Sequence, residues 1–124
     1  MSFNDKNYSG FNVHYSIKDG FYNGSYWAHL DVDDTDYFGP ETITFTFTPE
    51  MIEGGGKFEY WVYNYAYRYS NSKSELSESQ AVVKVYSGSE LIKIYYVPRN
   101  QKGITWNVFE INSEGIKTVN SIKW

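Results

Sequence analysis

The sequence predicts an all-β protein, an antiparallel β-sandwich of about eight strands, and three observations carry that expectation. Aromatic residues make up 20% of the 124 positions, with 13 Tyr, 8 Phe and 4 Trp, and aromatic and threonine-rich segments are what pleated, half-buried surfaces select. Apolar and polar residues alternate with period two in run after run, whereas a helical period is hardly seen. Short polar breaks with glycine or proline separate those runs at close spacing, the rhythm of a sandwich.

The elements follow in order. Phe11, Val13, Tyr15 and Ile17 alternate with Asn12, His14 and Ser16. Trp27–Val32 is a second run. In TITFTFT, Ile43, Phe45 and Phe47 point one way and Thr42, Thr44, Thr46 and Thr48 the other, as in a strand buried on one face. Lys57–Tyr69 is almost continuously aromatic. Gln80–Ser87 and Glu90–Val97 flank Gly88-Ser89, a two-residue connection with glycine first, which suits a type II′ hairpin. Ile104–Ile111 and Ile116–Ile122 flank Asn112–Gly115, where Gly115 can take a positive φ. Pro40, Pro49 and Pro98 fall at strand boundaries, where a missing amide donor does no harm. Ser70–Ser79 reads as a polar loop. Residues 1–10 are expected as an N-terminal extension and 11–124 as a single sandwich domain, a size that buries roughly 65% of the unfolded chain's surface without metal or disulfide staples.

Composition excludes several classes. The chain has no cysteine, so disulfide frameworks, thiolate zinc sites and cysteine nucleophiles are ruled out. A net charge of −4, from 11 basic and 15 acidic residues, argues against a nucleic-acid partner. Met1–Gly10 holds no apolar run, so neither a signal peptide nor membrane insertion is expected from it. The charge is unevenly spread. Between Asp19 and Gly56 there is no Lys or Arg, and eight carboxylates stand there; the remainder carries 11 basic and 7 acidic residues.

The densest part of that stretch is DVDDTDYFGPE, residues 31–41. Five carboxylates repel one another unless a cation sits among them, and carboxylate oxygens on a loop closed by Gly39-Pro40 suit calcium, which takes about six to eight oxygen ligands. Asp31, Asp33, Asp34, Asp36 and Glu41 are the candidate ligands. The spacing is not that of an EF-hand: counting from Asp31, the sixth position is Asp36, not glycine, and the twelfth is Thr42, not Glu. The competing reading is a solvated acidic loop whose Asp side chains cap turn amides.

In KFEYWVYNYAYRY, alternation places Lys57, Glu59, Trp61, Tyr63, Tyr65, Tyr67 and Tyr69 on one face and Phe58, Tyr60, Val62, Asn64, Ala66 and Arg68 on the other. The first face begins with two charges and is assigned outward; Phe58, Tyr60, Val62 and Ala66 are expected in the core. Exposed rings about 6.5–7 Å apart would form a continuous strip. Trp61, Tyr63, Tyr65 and Tyr67 are then candidate ligand-binding residues for a carbohydrate or a protein. The alternative is that Trp61, Tyr63 and Tyr65 fill the core with their hydroxyls at the rim. Tyr26, Trp27 and Trp106 read first as core.

No catalytic residue is assigned. The two histidines, His14 and His29, lie in strand-like runs, and no nucleophile elbow, phosphate loop or zinc-protease motif occurs. A glycosidase pair drawn from the acidic stretch would be confined to one short loop, where two acids cannot readily flank a substrate.

The ordered segments AHLDVDDTDYFGPETITF, FEYWVYNYA, LSESQAVVKVYSGSELIKIYYVP and GITWNVFEINSEGIKTVNSI resemble a group of bacterial extracellular modules, the YfaP-like uncharacterised domains, over about Phe11 to Ile122. The resemblance implies an immunoglobulin-like or jelly-roll-like sandwich and an extracellular or cell-surface setting, and it implies no activity. Such modules begin with a strand carrying an Asp-Leu-Asp-x-His-like motif, which SFNDKNYSGF lacks; a sheet edge is therefore expected to be open to pairing with another chain. The function expected is a non-catalytic interaction module for adhesion or targeting, possible calcium included, with a structural spacer as the alternative.

Overall fold

The computed structural model describes residues 1–4, 11–12, 19–22, 25–32, 42–45, 55–65 and 67–124; for 3–4, 11–12, 21–22 and 25–32 it describes the course of the backbone. The described residues are mostly strand, paired antiparallel, with a single short helix, so the chain is all-β. By contacts it divides into two compact units, Met1–Glu59 with Ile111–Lys117, and Tyr60–Glu110 with Thr118–Trp124.

The first unit contains β1 (Ser2–Asn4), β2 (Phe11–Asn12), β3 (Asp19–Tyr22), β4 (Ser25–Val32), β5 (Thr42–Phe45) and the beginning of β6 (Lys57–Tyr63). β1 falls within the segment expected as an extension, yet it pairs on both sides, through Phe3↔Phe11 with β2 and Phe3↔Phe58 with β6. β3, β4 and β5 form an antiparallel sheet of three with β4 in the middle. The β3–β4 ladder is a strand pair that the sequence pattern did not announce, because Asp19-Gly20-Phe21-Tyr22 is too short to show a period. β5 keeps its expected alternation: Ile43 and Phe45 are half-buried, and Thr42 and Thr44 are exposed. Phe45 packs on the fully buried Phe58 with ring centroids 5.4 Å apart.

The second unit holds the rest of β6, a helix α1 (Glu75–Glu78), β7 (Val82–Ser87), β8 (Glu90–Tyr96) and most of β9 (Thr105–Asn112) and β10 (Gly115–Lys123). Both expected hairpins form. Gly88 turns β7 into β8 with φ +61°, and Ser87 faces Glu90 across the closing pair, as a two-residue turn with glycine first requires. β7 begins at Val82, later than expected, because Gln80 stands in the left-handed region at φ +61° and breaks the extended run. In the β9–β10 turn, Gly115 takes φ +105° and the Asn112 side chain accepts the Glu114 amide at 2.8 Å.

The core of this unit is built on β9, which is covered on both faces: Trp106 and Val108 on one, Phe109 on the other, all at 2% exposure or less. Phe109 stacks between Tyr60 and Tyr95, each 5.6 Å away. The entry to β9 is fixed by Gly103. Its amide donates to the Lys73 carbonyl at 2.9 Å, and a Cβ there would run into the carbonyl group of Lys123, so no side chain fits. α1 lies in the stretch expected as a polar loop. Leu76 is buried, and Ser77 ties the turn to the β8–β9 connection by donating to the Pro98 carbonyl and accepting the Gln101 amide. Four residues are too few to show a helical period, which is why the sequence pattern passes over it.

Candidate ligand-binding face

β6 settles the choice between core and surface for the aromatic run. Phe58 is fully buried and Tyr60 and Val62 are half-buried on the inward face. On the other face Trp61 is 43% and Tyr63 51% exposed. Beyond the strand the rings stay outside: Tyr65 is 54%, Tyr67 53% and Tyr69 84% exposed. None of the four candidate ligand-binding aromatics fills the core.

The strip differs from the expected one in its geometry. The strand ends at Tyr63, not Tyr69. Asn64 still donates to the Ile104 carbonyl at 2.8 Å, and the chain then turns on itself, with Tyr65 N to Tyr63 O at 3.0 Å and Ser70 N to Tyr67 O at 3.0 Å. Tyr63 and Tyr65 therefore meet edge to face at 6.3 Å instead of lying as coplanar neighbours on a strand. Trp61 and Tyr63 project from a rigid element, and Tyr65, Tyr67 and Tyr69 from the turn that follows it.

Arg68, expected on the inward side, is the residue that the strand reading missed. Its guanidinium lies 3.6 Å from the centre of the Tyr65 ring and 4.8 Å from that of Tyr69, so two rings flank one cation. One of its nitrogens donates to the Tyr65 carbonyl at 2.6 Å, which closes the turn. A hydrogen bond with Tyr69 is the largest cause raising its pKa further above the ordinary arginine value. The turn is held from the far side as well: Lys73 Nζ donates to the Arg68 carbonyl at 2.9 Å, and Ser70 and Ser72 both donate to the Glu75 carboxylate. Those two hydroxyls, Ser70 first, keep the Glu75 pKa below the usual carboxylate value.

The other predicted site is described at one residue only. Asp31 lies near the end of β4 at a register shift, where Leu30 faces Ile43 and Val32 faces Thr42, so two β4 residues oppose one on β5. Asp33, Asp34, Asp36 and Glu41 lie outside the described residues, as does His14. Among the described residues no group of three or more His, Asp or Glu side chains is placed to hold a metal ion. A polar hollow of about 310 Å³ opens beside α1, lined by Ser74, Ser77, Glu78, Asn100, Gln101 and Lys102; the Ser77 hydroxyl within it is already spent on backbone partners.

No protein-family model, no curated protein and no solved structure matches this chain. Among the described residues no helix is long and apolar enough to cross a membrane.

Proposed function

We propose that this chain is a non-catalytic interaction module, a β-sandwich of immunoglobulin-like or jelly-roll-like type, that binds a carbohydrate or protein ligand through Trp61, Tyr63, Tyr65 and Tyr67. The setting we assign is extracellular or cell-surface adhesion or targeting. The single observation supporting this reading is the exposure of those rings, on the strand whose opposite face supplies the buried Phe58 and on the turn that follows it. Large aromatics normally pack inside, and a contiguous exposed group of them is unusual on a monomer's surface and marks a contact site. Trp, Tyr and Arg are also the residues that dominate binding energy at interfaces.

Calcium belongs to the same proposal as a stiffening ion on the stretch 31–41, with Asp31, Asp33, Asp34, Asp36 and Glu41 as its ligands. An array of glycans and extracellular proteins, probed in calcium and again in EDTA, tests both parts. Binding is expected, and Trp61→Ala and Tyr65→Ala are expected to abolish it while the far-ultraviolet circular dichroism stays unchanged. Signals that persist unaltered in both variants would defeat the site assignment, and signals indifferent to EDTA would remove calcium from the binding mechanism. Silence across the whole array would favour a spacer between other domains.

A further inference from the structure

Resting on that reading, we infer that the ligand of the aromatic turn is an anionic polysaccharide, and that Arg68 reads its carboxylate or sulfate groups. Arg68 is partly exposed, and among the described residues it makes no ion pair and the charged or titratable groups acting on it are Tyr63, Tyr65 and Tyr69, with no carboxylate. An arginine on a protein surface ordinarily has water or an acid for all five donors. Here one nitrogen is committed to the Tyr65 carbonyl, a further hydrogen bond engages Tyr69, and the guanidinium lies over both rings, so the donors left over form a fork held in one orientation. Such a fork matches the two oxygens of a carboxylate or a sulfate, and little rotamer entropy remains to be lost when it binds.

The charge balance of the surroundings agrees. The unit that carries the turn contains seven basic and four acidic residues, a net of +3, while the other unit contains four basic and eleven acidic residues, a net of −7. Glu59, the acid closest along β6, is already paired with Lys57 at 2.7 Å. The unit that carries Arg68 and the rings is thus the basic one of the two.

The side chains around Arg68 favour a sugar over an acidic peptide. Protein interfaces are also enriched in Tyr, Trp and Arg, so the choice rests on what accompanies them. The exposed side chains of this run are one indole and four phenols, Trp61, Tyr63, Tyr65, Tyr67 and Tyr69, with a cation over two of them. Phenol hydroxyls can exchange hydrogen bonds with ring hydroxyls, and open ring faces can cover the C–H faces of pyranose units.

Isothermal titration against polygalacturonate, its methyl-esterified form, heparin, dextran and poly-L-glutamate tests the inference, with wild type, Arg68→Gln and Trp61→Ala compared. Polygalacturonate, heparin or both should bind, whereas esterified polygalacturonate and dextran should bind at least tenfold more weakly. Affinity should fall as salt rises. Arg68→Gln should lose tenfold or more toward the anionic chain, and lose more toward it than toward the neutral ones. Carboxylate and sulfate are told apart by which of the first two polymers binds. Equal binding of acid and ester, with Arg68→Gln unaffected, would overturn the anion inference and leave the aromatic site standing. Poly-L-glutamate binding as tightly as the glycans would overturn it in favour of an acidic peptide. If no polymer binds, the inference fails, and the array described above then decides separately whether the aromatic face binds anything.

Discussion

Two sets of aromatic rings within the same unit are treated in opposite ways. Trp106, Phe109 and Tyr95 are buried to 5% exposure or less, whereas Trp61, Tyr63, Tyr65 and Tyr67 are about half exposed. The side chains are of the same kind, so their chemistry does not separate them; the strands' neighbours do. β9 is flanked by β6 and β10 and covered on both faces, and every ring on it is enclosed. β6 is covered on one face only, and past Tyr63 its pairing ends with the Asn64 amide bond to Ile104 before the chain turns. The burial of an aromatic is thus a property of the strand's place in its sheet, and exposed rings at the end of a covered strand are a surface that folding does not need.

The largest effect that can break this contrast is a pair of truncations. Phe109→Ala removes a ring stacked between Tyr60 and Tyr95 and leaves a cavity, which should cost about 3–5 kcal/mol in denaturant unfolding. Tyr67→Ala, on the exposed turn, should stay within about 0.5 kcal/mol of wild type. Comparable losses in the two variants would mean that the turn rings stabilise the fold after all, and the distinction between core and platform would be lost.

A middle-sized effect probes how the buried set is completed. The Trp106 indole N–H donates at 2.8 Å to the side-chain oxygen of Asn120, which sits within β10 at φ +48°. Asn is one of the few residues that accept that backbone region readily, and its side chain is the acceptor that the buried indole needs. Asn120→Ala should cost about 1–3 kcal/mol, from an unpaired buried donor together with left-handed strain. Asn120→Gly keeps the backbone freedom and removes only the acceptor, so it should fall between Ala and wild type. A glycine variant as stable as wild type would show that the hydrogen bond contributes nothing.

What could be read in advance follows the same division. Local signals worked: Gly88 and Gly115 announced their hairpins, the threonines of β5 their exposed face, and the charges of Lys57 and Glu59 the outward side of β6. Trp106 was legible as core. The end of β6 was not, because YNYAYRY continues a period-two pattern beyond Tyr63. The turn there carries Arg68 folded onto the Tyr65 ring and carbonyl, and period carries no record of such a contact. Arg68 was missed for the same reason, since alternation sent it inward. Left-handed φ at Lys73, Gln80, Asn100 and Asn120 escaped notice because no glycine marks those positions.

The smallest effect concerns the far side of the turn that carries the exposed rings. Ser70 and Ser72 donate more strongly to Glu75 when its carboxylate is ionised than when it is neutral, and that preference holds the folded-state pKa below the unfolded one. The contribution to stability is therefore fully present above the ordinary glutamate value of about 4.3 and disappears as pH falls through the lowered folded value. Because Glu75 is partly exposed to solvent, the gain is small and salt weakens it. In a Tm-versus-pH series, wild type should converge on Glu75→Gln as acidification passes through that window, with the difference between them confined to pH values above it. A gap that stays constant down to strong acid would show that the serines hold the turn equally well around a neutral side chain.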